Sequence, residues 1–164
     1  ARPGLKYPTN HHLSQILERW TVNAVLLKGG WSVEAGIFGG TEPVGPYDFS
    51  NIESFGDSWS VRLARRWGSG FGPMAEWEAS ISSAQVVESH DGEDHATRLW
   101  NLAVRHSGMV GNGTLYGLAE ASRSEPDTYE GHFSVLGEVR WDRGGHQPYL
   151  RVEYATRPEY SRTA

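Results

Sequence analysis

The chain has 164 residues, a length that suits one domain of ordinary size, and it lacks cysteine, which excludes disulfides and thiolate metal sites. Its 15 Lys and Arg residues against 20 Asp and Glu residues give a net charge of −5 without a dense basic cluster, which argues against nucleic-acid binding. Twenty glycines, seven Trp and seven Tyr favour strands and turns over helices.

The chain opens on Ala1 rather than Met, so we expect a processed or partial product. No apolar run approaches the roughly 20 residues that a transmembrane helix needs. Hydrophobic patterning divides the chain into an N-terminal loop segment over residues 1–17, a strand-rich region over residues 18–156 and a C-terminal tail over residues 157–164.

Eight segments of alternating or nearly alternating apolar and polar residues follow one another along the chain. Such alternation predicts strands, because successive side chains of a strand point to opposite faces. At about 9–11 residues each, most have the length that crosses a bilayer when tilted. In chain order the predicted strands are residues 18–28, 31–38, 57–67, 74–86, 96–106, 114–122, 132–142 and 147–156.

The connections between these strands alternate in length. Short glycine-rich connections, such as residues 29–30 and 143–146, have the composition of hairpin turns. Between them lie three longer polar connections, residues 39–56, 87–95 and 123–131. In an antiparallel meander this order defines a short-turn end and a long-loop end of the sheet. Bacterial outer-membrane barrels have the same asymmetry.

The stretch SWSVRLARRW, residues 58–67, shows how a strand divides into two faces. Trp59 and Leu63 point to one side, the apolar face, whereas Ser60 and Arg62 point to the other, the polar face. Alternation of this kind fits a membrane barrel with lipid outside, and it also fits a soluble β-barrel that binds a small apolar ligand inside.

Large aromatic side chains on the apolar face gather near the strand ends, with mostly Val, Leu, Ala and Ile between them. Two such belts are favoured at the two interfaces of a membrane, because an indole has an apolar body and a polar edge. Arg65 lies on this face near a strand end, where its guanidinium can reach the interface. The predicted belts consist of Trp31, Trp67, Trp77 and Trp141 at the short-turn end and Trp59, Trp100, Phe133 and Tyr154 at the long-loop end.

The polar face carries both signs of charge in nearly balanced numbers. Unpaired charges in a confined interior are costly, so Arg62 and Arg66 need partners, and Glu76 and Glu78 on the next strand are the nearest candidates. We predict a salt-bridged network that plugs a narrow barrel or lines a wide pore. Its predicted members are Glu34, Arg62, Arg66, Glu76, Glu78, Arg105, Glu138, Arg140, Arg151 and Glu153.

Four quoted stretches carry a resemblance to a known group: NHHLSQ (10–15), GIFGGTEPVGPYDF (36–49), FGDSWSVRL (55–63) and RGGHQPYLRVE (143–153). They resemble the motifs of uncharacterised bacterial outer-membrane β-barrel proteins that are porin-like in sequence. Relatives in that group are typically longer, so the resemblance implies further barrel strands or other chains as partners. The matching positions are Gly36, Phe38, Gly40, Glu42, Pro43, Asp48, Asp57, Ser58, Trp59, Ser60, Arg62 and Leu63.

Residues 131–134, GHFS, raise a catalytic alternative. His132 and Ser134 share a strand face with Glu138, and an outer-membrane lipid A deacylase uses a His-x-Ser pair with a Glu. The alternative is therefore a lipid-modifying hydrolase. A site that cleaves lipid should face the membrane. Phe133 and Val135 are expected on that face, however, which places His132 and Ser134 on the inner face.

The acidic stretch at residues 88–95 could hold a hard cation through carboxylate oxygens, although its spacing matches no recognised calcium loop. A solvated acidic loop is the simpler interpretation. The candidate ligands are His90, Asp91, Glu93, Asp94 and His95.

Loop asymmetry, strand length and aromatic position together favour an all-β fold, an antiparallel up-and-down transmembrane β-barrel of about eight strands or part of a larger barrel. We expect it in the bacterial outer membrane, with membrane lipid and lipopolysaccharide as partners and no cofactor. The predicted function is a passive pore or a structural surface scaffold.

Overall fold

The computed structural model describes residues 21–40, 55–68, 75–90, 93–128 and 130–156. The segments expected over residues 1–17 and 157–164 lie outside these ranges. The described residues form eight strands: β1 Thr21–Lys28, β2 Trp31–Gly39, β3 Phe55–Gly68, β4 Glu76–His90, β5 Glu93–Val110, β6 Gly113–Pro126, β7 His132–Asp142 and β8 Tyr149–Ala155.

All eight predicted strands are confirmed, and they form one antiparallel up-and-down sheet in chain order. The β1–β2 turn shows why adjacent strands pair. Gly29 and Gly30 have φ angles of 56° and 80°, values that a two-residue turn matching the twist of the strands requires. The carbonyl of Gly30 then accepts the N–H of Arg66 at 2.7 Å, which ties this turn to β3.

The sheet is open at β1 and β8. Within the described ranges, β1 pairs with β2 and β8 pairs with β7, but the two edge strands do not pair with each other. Every residue of both edge strands is exposed. The eight strands therefore form a curved wall rather than a closed barrel, and each edge presents backbone groups that another strand could pair.

The predicted long loop at residues 87–95 is mostly strand, and the one at residues 123–131 begins as strand, which corrects that part of the sequence prediction. Residues 41–54 of the remaining long loop lie outside the described residues. β4 and β5 continue to His90 and Glu93, with only residues 91–92 between them, and β6 continues to Pro126. The apolar alternation stops near Val87, but ladder pairing continues through polar partners such as Glu88 and His95. Strand pairing thus extends further along the chain than the hydrophobic alternation from which the strands were predicted.

The two faces of the sheet differ in exposure, and the difference is the reverse of that in a water-soluble domain. On the apolar face, Leu26 is 69% exposed and Leu102 is 55% exposed. On the polar face, Glu78 is 4% exposed and Ser58 is fully buried. The sheet therefore curves around its polar face and turns its apolar face outward. In the part of the chain that the structure describes, no helix is long and apolar enough to span a membrane.

The register settles the face of Glu120, whose position in the sequence is ambiguous because it shares parity with Tyr116 and Leu118. Glu120 lies opposite Ala103 on β5 and opposite Leu136 on β7. Ala103 and Leu136 have the same parity as Arg105 and Glu138, so both lie on the polar face. Directly opposed residues of neighbouring strands share a face, so Glu120 lies there as well. Tyr116, Leu118 and Glu120 consequently all lie on the polar face.

Candidate functional site

Four charged side chains from three neighbouring strands converge on the polar face. Arg62 Nη2 donates to Glu78 Oε1 at 2.7 Å, and Arg105 Nη2 donates to Glu78 Oε2 at 2.8 Å. Arg66 Nε donates to the same Oε2. Glu78 is buried beneath these three guanidinium groups, which compensate its carboxylate for the water that it loses.

Two further carboxylates complete the group. Arg62 Nη1 lies 2.6 Å from Glu34 Oε1, and Arg66 Nε lies 3.7 Å from Glu76 Oε1. The resulting Glu78 cluster balances three arginines with three glutamates. The register explains the assembly, because it sets Glu78 between Arg66 and Arg105 and sets Glu34 opposite Arg62. The cluster consists of Glu34, Arg62, Arg66, Glu76, Glu78 and Arg105.

The other four predicted members of the charge network lie apart, on β7 and β8. Their contacts are Arg140 Nη2–Asp142 Oδ2 at 2.6 Å, Tyr149 Oη–Glu138 Oε2 at 3.1 Å and Arg151 Nη2–Glu153 Oε2 at 2.9 Å. Asp142 and Tyr149 were not among the predicted residues, although their parity with Arg140 and Arg151 places them on the same face. A role in a lumen stays a prediction for all ten residues.

A shallow trough lies beside the Glu78 cluster on the polar face. It has a volume of about 420 Å³ and crosses β1 to β5. Small neutral side chains leave this space open and offer hydroxyl and amide groups, while Glu34 and Arg62 supply charge at its border. The neutral polar side chains that line it are Asn23, Ser60, Ser82 and Asn101, with Ser83 from the opposite parity. Val25 and Leu99 also line the trough, so it presents both apolar surface and hydrogen-bonding groups.

A hydrogen-bond network joins three strands at the long-loop end. The Asp57 carboxylate accepts the Gly40 N–H at 2.9 Å and the Ser58 hydroxyl at 2.8 Å, both through Oδ1. Ser58 Oγ in turn accepts the Val87 N–H at 2.9 Å. We call these four residues the Ser58 lock. The resemblance singled out Gly40, Asp57 and Ser58, and the lock gives them a structural role that their sequence spacing could not reveal.

Replacing Ser58 by alanine should lower the free energy of unfolding by about 1–3 kcal/mol, because the partly buried Val87 N–H loses its acceptor. The matched control is Ser60→Ala, a half-buried serine on the same strand and face, with an expected change within about 0.5 kcal/mol. Urea titration in detergent micelles, followed by tryptophan fluorescence, measures both. Equal effects of the two substitutions would show that the lock contributes nothing.

All eight aromatic side chains of the predicted belts lie on the apolar face. Trp67 and Trp77 are directly opposed, and the Trp77 ring lies 4.4 Å from that of His106. Arg65 packs its guanidinium 5.0 Å from the ring centroid of Trp31 and donates from Nη1 to the Gly29 carbonyl at 2.6 Å. The function of these belts at membrane interfaces stays a prediction.

The hydrolase candidates are not brought together as a catalytic group. Ser134 Oγ lies 2.6 Å from Ser122 Oγ on the neighbouring strand. Glu138 follows His132 by six positions on the straight run of β7, which separates them by roughly 20 Å, and it accepts a hydrogen bond from Tyr149. A nucleophile needs its base, and the base its orienting acid, within hydrogen-bond reach. The geometry gives the hydrolase alternative no support.

The metal candidates lie at the β4–β5 hairpin. Asp91 and the side chain of His90 fall outside the described residues. His95 Nδ1 lies 3.9 Å from Asp127 Oδ1, and the Ser89 hydroxyl contacts Asp94. Among the residues that the structure describes, no three potential ligands form a metal-binding group.

Comparison with known proteins gives a likeness of fold. No protein-family model matches the chain, and no curated protein matches it. Among solved structures, the chain is similar to a porin refined at 1.8 Å resolution, with a TM-score of 0.50 and 12% sequence identity. The similarity covers 85% of this chain and 46% of the porin, so the chain spans less than half of that protein's length. At this identity the likeness shows a porin-like β-barrel architecture alone.

Proposed function

We propose that the eight-stranded sheet forms part of the wall of a passive pore in a bacterial outer membrane. The apolar face contacts lipid, and the polar face lines a water-filled lumen. The observation that carries this proposal is the reversed exposure of the two faces. Aliphatic side chains such as Leu26, Ile81 and Leu102 are among the exposed residues, whereas Glu78 and Ser58 are buried.

This arrangement is unfavourable in water, where a contiguous face of exposed aliphatic and aromatic groups drives association or aggregation. In a bilayer the same face is solvated by acyl chains. The ladder pairing from β1 to β8 satisfies backbone groups of the inner strands, as hydrocarbon demands. A soluble barrel that encloses an apolar ligand would need the opposite curvature, with Val61 and Leu63 inside.

The open edges imply neighbours in the proposed pore, because hydrocarbon does not tolerate unpaired strand edges. The direction of the chain constrains them. β1 and β8 run antiparallel to each other, since eight strands alternate in direction. An alternating wall that returns from β8 to β1 therefore adds an even number of strands, supplied by the same polypeptide or by other chains.

The polar face supports a role in passage rather than in chemistry. The Glu78 cluster carries no net charge, and the trough beside it presents hydroxyl and amide groups. Such a surface replaces hydrogen bonds to water at little cost and binds solutes weakly, which suits unselective transit of small polar solutes. A surface scaffold uses the same wall without transit, and only conductance separates the two roles.

Refolding tests the lipid-facing assignment. After unfolding in urea, the chain should regain strand circular dichroism and heat-modifiable gel mobility in detergent micelles but not in buffer. Folding in plain buffer would contradict the proposal. Folding in neither medium would point to a requirement for the neighbouring strands at β1 and β8. Stepwise conductance of the refolded chain in a planar bilayer would then distinguish a pore from a scaffold.

Two adjacent residues on opposite faces give a sharper test. Leu102→Arg should lower the free energy of unfolding in lipid vesicles by about 2–4 kcal/mol, because it places a charge on the lipid side of the wall. Asn101→Arg, on the polar face, should change it by less than about 1 kcal/mol. Leu102 is 55% exposed, so if water were the solvent of the apolar face, Leu102→Arg would destabilise the fold no more than Asn101→Arg.

A further inference from the structure

The apolar face carries a line of alternating cationic and aromatic side chains at the short-turn end. Lys28 on β1 lies opposite Trp31 on β2, and Trp31 lies opposite Arg65 on β3. Directly opposed side chains of antiparallel strands are roughly 5 Å apart at Cβ, so the three form one continuous patch. We call it the Lys28–Trp31–Arg65 row.

Arg65 is held in place within this row. Its guanidinium lies 5.0 Å from the Trp31 ring centroid, and Nη1 donates to the Gly29 carbonyl at 2.6 Å. One bond uses one of the five N–H donors of the planar group. The cation is thus preorganised against an indole, and its fork geometry matches the paired oxygens of a phosphate.

The arrangement recurs on the other side of the sheet. Arg143, beside β7, places its guanidinium 5.5 Å from the Trp141 ring centroid, also at the short-turn end. Among the described residues of the apolar face, this end bears Lys28, Arg65 and Arg143 but no carboxylate. At the long-loop end of the same face, arginine and acid occur together, as in the pair Arg123–Glu125 at 2.7 Å.

We propose that the Lys28–Trp31–Arg65 row binds the headgroup of an anionic phospholipid. This inference rests on the proposed function, since it requires lipid against the apolar face. The indole lies at the level where acyl chains meet headgroups, and Arg65 and Lys28 flank a phosphate on either side of it. Charge complementarity decides the occupant, because a zwitterionic headgroup would bring its own cation against two cations of the protein.

The test uses the refolded chain in mixed vesicles of phosphatidylglycerol and phosphatidylcholine, with bromine on the acyl chains of one lipid or the other. Bromine quenches nearby tryptophan, and the Trp31→Phe variant identifies the share of quenching that belongs to Trp31. Phosphatidylglycerol should be enriched beside Trp31. Arg65→Gln and Lys28→Gln should each reduce this preference about fivefold. Arg98→Gln, an exposed arginine on the same face at the long-loop end, should leave it unchanged.

Each outcome decides between the two proposals. An unchanged preference in the Arg65 and Lys28 variants, or an equal loss in the Arg98 variant, overturns the headgroup site while leaving the pore intact. Abolition of the preference by inorganic phosphate added to the vesicles would indicate a site for the free ion instead. Absence of quenching by either lipid would overturn the lipid-facing assignment itself, and the headgroup site with it.

Discussion

Replacement of Glu78 by glutamine should lower the free energy of unfolding by about 3 kcal/mol, one of the two largest effects that we expect in this chain. The substitution preserves the shape of the side chain but removes the charge that three arginines share. Arg62 and Arg66 retain Glu34 and Glu76, at 2.6 Å and 3.7 Å, whereas Arg105 loses its partner at 2.8 Å. The polar face would then carry an excess of positive charge around a buried amide.

The control for this substitution is Glu153→Gln on β8. Glu153 pairs with Arg151 at 2.9 Å, and its side chain is 53% exposed. Exposed pairs contribute little, so the expected change is below about 1 kcal/mol. Urea titration in micelles measures both variants. The double variant with Arg105→Gln should recover part of the loss, because it restores the charge balance of the Glu78 cluster. Equal effects at Glu78 and Glu153 would show that the Glu78 cluster contributes no more to stability than exposed ion pairs do.

Replacement of Gly40 by alanine should destabilise the sheet by about 3 kcal/mol or lead to misfolding. A Cβ at this position would lie well inside van der Waals distance of the Val87 carbonyl oxygen and of Ser58 Oγ. Backbone cannot swing aside as a flexible side chain can. The strands would therefore separate, and the Ser58 lock would lose its hydrogen bond from Gly40 to Asp57.

Gly137→Ala is the matched control for Gly40→Ala. Gly137 lies in β7, and a Cβ there would meet nothing within 4 Å. Alanine restricts the unfolded chain, so this variant should be neutral or slightly more stable, by about 0.4–1 kcal/mol. Refolding yield and urea midpoint distinguish the two glycines. A tolerated alanine at Gly40 would mean that β2 and β4 do not approach each other closely near the long loops.

The strands were predictable because each of them carries apolar side chains on one face and polar side chains on the other. Alternation places Trp59 and Leu63 on one side and Arg62 on the other without reference to any distant residue, and the register confirms that division. The contacts among Arg62, Arg66 and Glu78 follow from the same parity, since neighbouring strands put equal faces together. Local pattern was sufficient for these features.

Features that depend on pairing beyond the apolar pattern were not predictable. The continuation of β4 and β5 to His90 and Glu93 involves polar residues, which alternation interprets as loop. Whether the sheet closes depends on its curvature and on the stagger between strands, and the alternation within one strand predicts neither. The Ser58 lock joins Gly40 to Val87, 47 positions later, and only the fold brings such residues together.

The long strands give the proposed pore a rigid exterior. β5 has 18 residues and β4 has 15, so β5 is roughly 60 Å long and rises roughly 40 Å at a 45° tilt. The apolar band of such barrels is only about 25 Å tall. The β4–β5 hairpin would then stand well clear of the bilayer as a paired ribbon. A protease must pull its substrate into an unpaired, extended segment, so this ribbon would resist digestion and present antibodies or phage with an epitope of fixed shape.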